Sequence, residues 1–343
     1  MPLHFAINGL GRIGRALLRI ARERDSIELV AVNDLGSARE LAGLIDRDTL
    51  HGRFAGRVSA VGDHLVVDGR EIATFQTEDP AAVPWHETPA RVVVDATGRA
   101  KTGELAAAHL RSGGEGGPTG GRGIERVVVS ANAEGVDLTL CIGVNDDEFD
   151  PERHHLLSAA SCTTNCLTPV AHVLHENFGW KRGLLNTVHS YNNDQHLLEY
   201  RHSDPRRARS ATLNMIPTTT SAIRAFGRVL PELADRIQGL AVRVPTPNVS
   251  LIDLVVEFDR QPSVEDVQKV FREAAEGPLR GVLAVTDEEL VSSDFLGDPH
   301  SAIVDLPLTQ EVGGLYRVVA WYDNEWGHAS RLADTLELIA RRS

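Results

Sequence analysis

The residue of this chain best suited to covalent chemistry is the cysteine in Ala160-Ser161-Cys162-Thr163-Thr164-Asn165-Cys166. It sits among small hydroxylated residues, just ahead of a helix-like run from Leu167 to His175. A helix N-terminus offers unpaired backbone N–H groups and a partial positive charge. Both favour thiolate over thiol, so Cys162 is placed to act as a nucleophile at neutral pH. His189 follows 27 positions later, after the strand-like run Leu184-Leu185-Asn186-Thr187-Val188. A strand end is where a side chain can face a cleft. A cysteine with a histidine partner is an acyl-transfer pair.

A second pattern opens the chain. Gly9-Leu10-Gly11-Arg12-Ile13-Gly14 follows a short apolar strand, starts a helix, and has an acid, Asp34, 20 positions past its last glycine. In that setting the glycines form a dinucleotide fingerprint. Gly9 allows a tight turn, Gly11 lets backbone approach a pyrophosphate, and Gly14 permits close helix packing. The helix N-terminus stabilises the phosphates. Asp34 can accept hydrogen bonds from an adenosine ribose, and its charge disfavours a 2′-phosphate, so NAD is expected over NADP. The two patterns together suggest an aldehyde oxidised through a thioester.

These residues need a scaffold. Leu3 to Ile7 and Leu29 to Asn33 read as strands flanking a helix with Ile13, Leu17, Leu18 and Ile20 on one side. Val92 to Asp95 and Val127 to Ser130 read as further strands, with a helical run from Leu105 to Leu110 between them. Strands alternating with helices imply an α/β fold with a Rossmann dinucleotide-binding domain. After Cys166 the pattern changes to longer strands, Gly239 to Arg243, Ser250 to Phe258 and Leu315 to Trp321, mixed with amphipathic helices at Val264 to Ala275 and Ala329 to Ala340. That predicts a second, α+β catalytic domain with a mostly antiparallel sheet. Residues 112–123 are glycine-rich and nearly free of apolar side chains, which reads as a flexible surface loop.

Composition narrows the classes. The chain has 343 residues, 42% hydrophobic and 24% charged, enough for two soluble domains. No secretory signal and no apolar run of about 18 residues is visible, so neither export nor a membrane span is expected. Three cysteines make no disulfide framework, which fits a reducing cytoplasm. A net charge of −13 disfavours nucleic acid and anionic membranes, although Arg206, Arg207 and Arg209 form a local basic patch. Cys141 reads as core and Cys166 as packing. No metal-ligand spacing is present, and His154-His155 reads as surface or packing.

The segments INGLGRIGR, SAASCTTNCLTPV, AVRVPTPNVSLIDL and WYDNEWGHASR resemble, in order, blocks of the phosphorylating glyceraldehyde-3-phosphate dehydrogenase family. The resemblance covers essentially the whole chain, with the glycine-rich loop looking like an insertion. It implies a Rossmann domain over 1–161, a catalytic domain over 162–324, a C-terminal helix over 325–343 returning to the first, and a homotetramer. It implies that Cys162 attacks the aldehyde to form a hemithioacetal, that His189 is the base, and that phosphate attacks the resulting thioester. It places Asn324 on the nicotinamide amide, and Arg12, Ile13, Thr97, Gly98 and Ser130 with Asp34 at the cofactor. It places Ser161, Thr163, Asn192, Arg207, Thr220, Ser221 and Arg243 at the phosphorylated aldehyde and inorganic phosphate.

Three positions depart from the family pattern. Asn192 stands where a threonine is usual, Thr220-Ser221 replaces Thr-Gly, and Tyr200-Arg201 replaces a Leu-Pro pair near the neighbouring subunit's adenosine ribose. An arginine there could pair with a 2′-phosphate, leaving some NADP use open. The first two keep erythrose-4-phosphate dehydrogenase, a close relative, as an alternative. A non-catalytic NAD-binding redox sensor is a third reading, since an exposed low-pKa thiol is also what oxidation sensing needs.

Overall fold

The computed structural model describes residues 1–111 and 123–342; the glycine-rich stretch falls almost wholly outside them. The chain divides into two compact units. One comprises residues 1–140, 145–160 and the chain from Ala329 onward, and the other comprises 141–144 and 161–328.

The first unit is built on β1 (Leu3–Asn8), α1 (Arg12–Ala21), β2 (Ile27–Asn33), β3 (Arg70–Phe75), β4 (Val92–Asp95), β5 (Arg126–Val129) and β6 (Leu156–Ser158). β1 lies between β2 and β4 and is parallel to both. β3 continues the parallel sheet beyond β2, and β5 and β6 continue it beyond β4. The antiparallel strands Val58–Val61 and His64–Val67 extend the β3 side. β1 and β4 read as unbroken apolar runs because central parallel strands are buried on both faces. Phe5, Ile7, Val93, Val94 and Val128 are all fully buried, each large side chain contributing about 1.5–3 kcal/mol on burial.

From β1 the chain runs outward through β2 and β3 and then crosses back to β4 on the other side of β1; that reversal is a topological switch point, and ligands bind outside the carboxyl ends of strands at such a point. The three strand ends there are polar and level: Asn8 pairs in register with both Asn33 and Asp95. The helical run expected over 105–110 is α-helical only over Gly103–Ala106 and continues as a tighter 3-10 turn over Ala107–Arg111.

In the second unit, α2 (Cys162–Phe178) precedes β7 (Trp180–Ser190), β8 (Ile237–Val244), β9 (Ser250–Phe258) and β10 (Leu315–Tyr322). β9 pairs antiparallel with β7 and β10, while β8 runs parallel to β7. The sheet is therefore mixed but mostly antiparallel. Along β9, Ile252, Leu254, Val256 and Phe258 are buried and the residues between them are half-exposed, the alternation of a sheet with one covered face. The last helix, α3, spans Trp326–Arg342.

Candidate active site

The helix that carries Cys162 starts at the cysteine itself, five residues earlier than its apolar run indicates. Ser161 is the N-cap, and its hydroxyl accepts from the Thr164 backbone N–H at 3.2 Å. Ala160 takes a left-handed φ of 55° while fully buried, a strained turn into the cap. No acidic residue sits in the first turn, so the helix end keeps its positive potential at the sulfur.

His189 lies one residue from the end of β7, and its Nε2 is 3.4 Å from the Cys162 Sγ. Parallel pairing of β7 with β8 sets His189 opposite Arg243. The Arg243 guanidinium meets the other ring nitrogen, Nδ1, and also donates to the Ser190 carbonyl at 3.0 Å. That same carbonyl is 2.7 Å from His189 Nδ1. Two arrangements fit. With Nδ1–H donating to Ser190, Nε2 accepts the thiol proton; with Nδ1 accepting from Arg243, Nε2–H donates to a thiolate. The pair can hold a proton on either partner, as a nucleophile and its base require.

Burial pushes the Cys162 thiol up from its ordinary value, against the expectation from the helix end alone. The Arg243 charge and hydrogen bonds from Thr163 act in the opposite direction. Burial pushes the Cys141 thiol up to about 12, and Cys166 is also raised well above its ordinary value by burial. Cys162 has both a facing imidazole, that of His189, and a nearby guanidinium, that of Arg243.

Tyr322, Ser190 and Ser250 were not marked by the sequence and belong to this cluster. The buried Tyr322 hydroxyl bridges Thr163 Oγ1 and Thr187 Oγ1, each at 2.9 Å, and its ring edge meets His189. It ties the start of α2 to β7. The Asn324 side-chain oxygen accepts from the Ser190 hydroxyl at 2.9 Å and the Ser250 hydroxyl at 3.0 Å. That turns the Asn324 amide nitrogen away from the two serines. Ser190 and Tyr322 lie within two residues of marked positions, and Tyr322 and Ser250 fall inside two of the family-like segments, but no local pattern assigns them these partners.

The anion-binding candidates lie close to one another but are partly engaged. Arg207 donates to Thr218 Oγ1 at 2.7 Å, Asp194 Oδ2 at 2.9 Å and the Thr219 carbonyl at 3.2 Å. Asp204 is a second carboxylate partner at 3.5 Å. One guanidinium facing two carboxylates leaves this trio with a net charge of about −1. The basic patch is thus locally neutralised, Arg209 also pairing with Glu199. Asn192 closes a turn by accepting from the Asp194 backbone N–H, and Thr220 accepts from the Ala222 N–H. Ser221 is exposed at the start of the helix Ala222–Val229. Arg243 feels the charges of Cys162, Arg207 and Asp194, which places all four within electrostatic range.

In the first unit, the fingerprint fits a dinucleotide. Gly9 has a φ of 95°, which side chains resist, and a Cβ on Gly14 would meet the Gly9 carbonyl oxygen at 2.1 Å. A Cβ on Gly11 would meet nothing within 4 Å, so the approach to the helix end is open. The Gly11 N-cap supplies no side-chain hydrogen bond and the first turn of α1 holds no acid, so the helix start keeps the positive potential that favours an anion. Arg12 and Ile13, half-buried, begin that turn. The Asp34 carboxylate is fixed by the backbone N–H groups of Leu10 at 2.7 Å and Gly36 at 3.0 Å, with lone pairs remaining for a ribose. Thr97 and Gly98 are exposed just beyond β4, and the Ser130 N–H donates to the Asp95 carbonyl at 2.9 Å. Among the described residues there is no cluster that could hold a metal ion.

Comparison with known proteins gives concordant results. The family model described as glyceraldehyde 3-phosphate dehydrogenase, NAD binding domain, matches residues 3–103, and the one described as glyceraldehyde 3-phosphate dehydrogenase, C-terminal domain, matches residues 161–324. The chain is 46% identical to the glyceraldehyde-3-phosphate dehydrogenase of Geobacillus stearothermophilus over 343 residues, covering 100% of this chain and 99% of that protein. It is 46% identical over 338 residues to that of Kitasatospora aureofaciens, covering 98% of this chain and 99% of the relative. It is 44% identical to glyceraldehyde-3-phosphate dehydrogenase 1 of Bacillus subtilis, again over 343 residues, with 100% and 99% covered.

Proposed function

The chain belongs to the glyceraldehyde-3-phosphate dehydrogenase family of NAD-dependent oxidoreductases, and from that premise we propose that it converts glyceraldehyde 3-phosphate and inorganic phosphate to 1,3-bisphosphoglycerate. The observation that carries this reading is the Cys162 Sγ and His189 Nε2 pair at 3.4 Å, with Arg243 against the far side of the imidazole.

Cys162 attacks the aldehyde carbon while His189 takes the thiol proton and returns it to the former carbonyl oxygen, giving the hemithioacetal hydroxyl and a neutral imidazole. The Cys162 backbone N–H, at the first position of α2, is a donor for the oxygen that becomes negative. His189 then removes the hydroxyl proton of the hemithioacetal as a hydride leaves its carbon. Bound NAD would supply the hydride acceptor, and Gly9, Gly11, Arg12, Ile13, Gly14, Asp34, Thr97, Gly98 and Ser130 would hold it. The product is a Cys162 thioester. Inorganic phosphate attacks its carbonyl, the sulfur leaves, and an acyl phosphate is released. Arg243 is the principal cation for these anions, because Arg207 already shares its charge with Asp194 and Asp204. Ser161, Thr163, Asn192, Thr220 and Ser221 complete the polar lining.

The deciding experiment is NADH formation with glyceraldehyde 3-phosphate and with erythrose 4-phosphate, each with and without inorganic phosphate. Fast, phosphate-dependent turnover of the triose is expected. Preference for the tetrose with little phosphate dependence would mean that Asn192, Ser221 and the neutralised Arg207 mark a remade anion site and that the erythrose-4-phosphate reading is right. No turnover of either, with NAD still bound, would favour the redox-sensor reading.

We also propose a homotetramer in a reducing cytoplasm. Leu184 and Leu240, on the paired strands β7 and β8, are 64% and 46% exposed, and Leu213 and Met215 are 80% and 74% exposed, apolar side chains that a second copy would cover. Among the described residues no helix is long and apolar enough to cross a membrane.

A further inference from the structure

Below the fingerprint lies a polar network that the proposed chemistry does not use. Asp95, at the end of β4, is 2% exposed, and His109 is 0% exposed. His109 Nε2 lies 3.1 Å from Asp95 Oδ2, and Trp85 Nε1 donates to His109 Nδ1 at 3.1 Å. An indole N–H only donates, so Nδ1 must be the unprotonated ring nitrogen. Nε2 then carries the proton and donates to Asp95.

The other side of Asp95 has an equally fixed polarity. The Thr77 backbone N–H donates to Asn33 Oδ1 at 2.9 Å, so the Asn33 amide nitrogen faces the other way. That nitrogen donates to Asn8 Oδ1 at 2.8 Å and to the Thr77 carbonyl at 2.8 Å. Asn8 Nδ2 is left to donate to Asp95 Oδ2 at 3.0 Å. Asn8 Nδ2 and His109 Nε2 are 3.4 Å apart; both are donors, converging on one oxygen. The second oxygen, Oδ1, accepts from the Thr97 backbone N–H at 3.0 Å and the Thr97 hydroxyl at 2.6 Å. With four donors aimed at it and no acceptor left for a proton, Asp95 is a carboxylate. Burial alone would push its carboxyl up, but the bonds from His109 and Thr97 outweigh it and hold the group below its ordinary value.

The network joins the segments that form the dinucleotide turn. Asn8 immediately precedes Gly9, Asn33 immediately precedes Asp34, and Thr97 lies so close to Gly9 that a Cβ on Gly9 would meet its backbone nitrogen at 2.9 Å. We propose that His109 is a positioning residue for the dinucleotide: locked in its Nε2–H tautomer by Trp85, it orients the Asp95 carboxylate, which holds the Asn8–Gly9 and Thr97–Gly98 segments at the spacing the cofactor needs. His109 does not touch the cofactor. The proposal rests on NAD binding by this unit.

The test is calorimetric NAD binding by the full chain, wild type first, followed by His109→Phe and His109→Gln. Phenylalanine keeps the ring packed on Trp85 but removes both hydrogen bonds; a glutamine amide can donate to Asp95 and accept from Trp85. About tenfold weaker NAD binding is expected for His109→Phe, with recovery to within about threefold for His109→Gln. KM for NAD should rise while kcat at saturating NAD changes less than twofold. The rate of Cys162 alkylation without cofactor should be unchanged. Wild-type protein that fails to bind NAD would sink the cofactor reading itself. Wild type that binds, with His109→Phe binding equally well or His109→Gln no better than His109→Phe, would overturn the role of His109. A 15N spectrum of histidine-labelled wild type decides the matter if His109→Phe does not fold: a neutral ring protonated at Nε2 is expected, and protonation at Nδ1 overturns the proposal.

Discussion

At the residue scale the site is a balance of charge around one sulfur. Burial raises the Cys162 thiol pKa and Arg243 opposes that rise. Replacing Arg243 by leucine removes the opposing charge, so the thiol pKa rises further and less thiolate is present at pH 7. Iodoacetamide alkylation at pH 7 should slow by about tenfold, the effect of a one-unit shift, and recover as pH is raised. An unchanged rate would remove Arg243 from the activation of the sulfur. His189→Asn cannot accept the thiol proton or the hemithioacetal proton, so kcat should fall roughly 100- to 10,000-fold. A loss below fivefold would take His189 out of the proposed mechanism. The geometry also predicts the effect of Asp194→Asn. Relieving Arg207 of one carboxylate should lower KM for inorganic phosphate by about threefold, with a greater dependence on salt; a higher KM would mean that Asp194 orients Arg207 rather than masking it.

At the element scale, the proposed chemistry rests on two helix starts, and for the same reason. Neither α1 nor α2 has an acid in its first turn, so each helix start keeps a positive potential toward an anion or thiolate. For α1 the approach depends on backbone packing that only glycine permits. Gly14→Ala would drive a methyl group into the Gly9 carbonyl oxygen, with an expected loss of about 2–3 kcal/mol of stability and of NAD affinity. Thermal melting with and without NAD measures both, and an alanine variant with unchanged melting and NAD response would show that the turn can relax. These elements were legible because their cause is local: the glycine spacing, the acid after β2 and the alternation along β9 are properties of short segments. The exact start of α2 was not, because Thr163, Thr164 and Asn165 have weak helix propensity. They are helical owing to the Ser161 cap and the Tyr322 bond to Thr163.

At the scale of the whole molecule, an acidic chain with an exposed apolar surface is expected to associate with itself rather than with nucleic acid or anionic membranes. Light scattering should give about 149 kDa, four times the 37.3 kDa chain. The double variant Leu184→Asp, Leu240→Asp should shift the mass downward by at least half. A wild-type mass of one chain would show that this surface is not self-complementary.

The sequence by itself determined the α/β class and the dinucleotide fingerprint with its acid, and it singled out the cysteine and histidine proposed as nucleophile and base. Each rests on residue types at short, regular spacing, and the family blocks run through all of them. Only the tertiary structure decided what surrounds these residues. Strand pairing put Arg243 beside His189 across 54 positions and Tyr322 between Thr163 and Thr187. Chain folding paired Arg207 with Asp194 and Asp204, which turned an apparent basic patch into a neutralised one. It also closed Trp85, His109, Asn8 and Asp95 into a single network. The charge state, tautomer and reach of a side chain depend on neighbours brought close in space, and spacing along the chain carries no record of which neighbours those are.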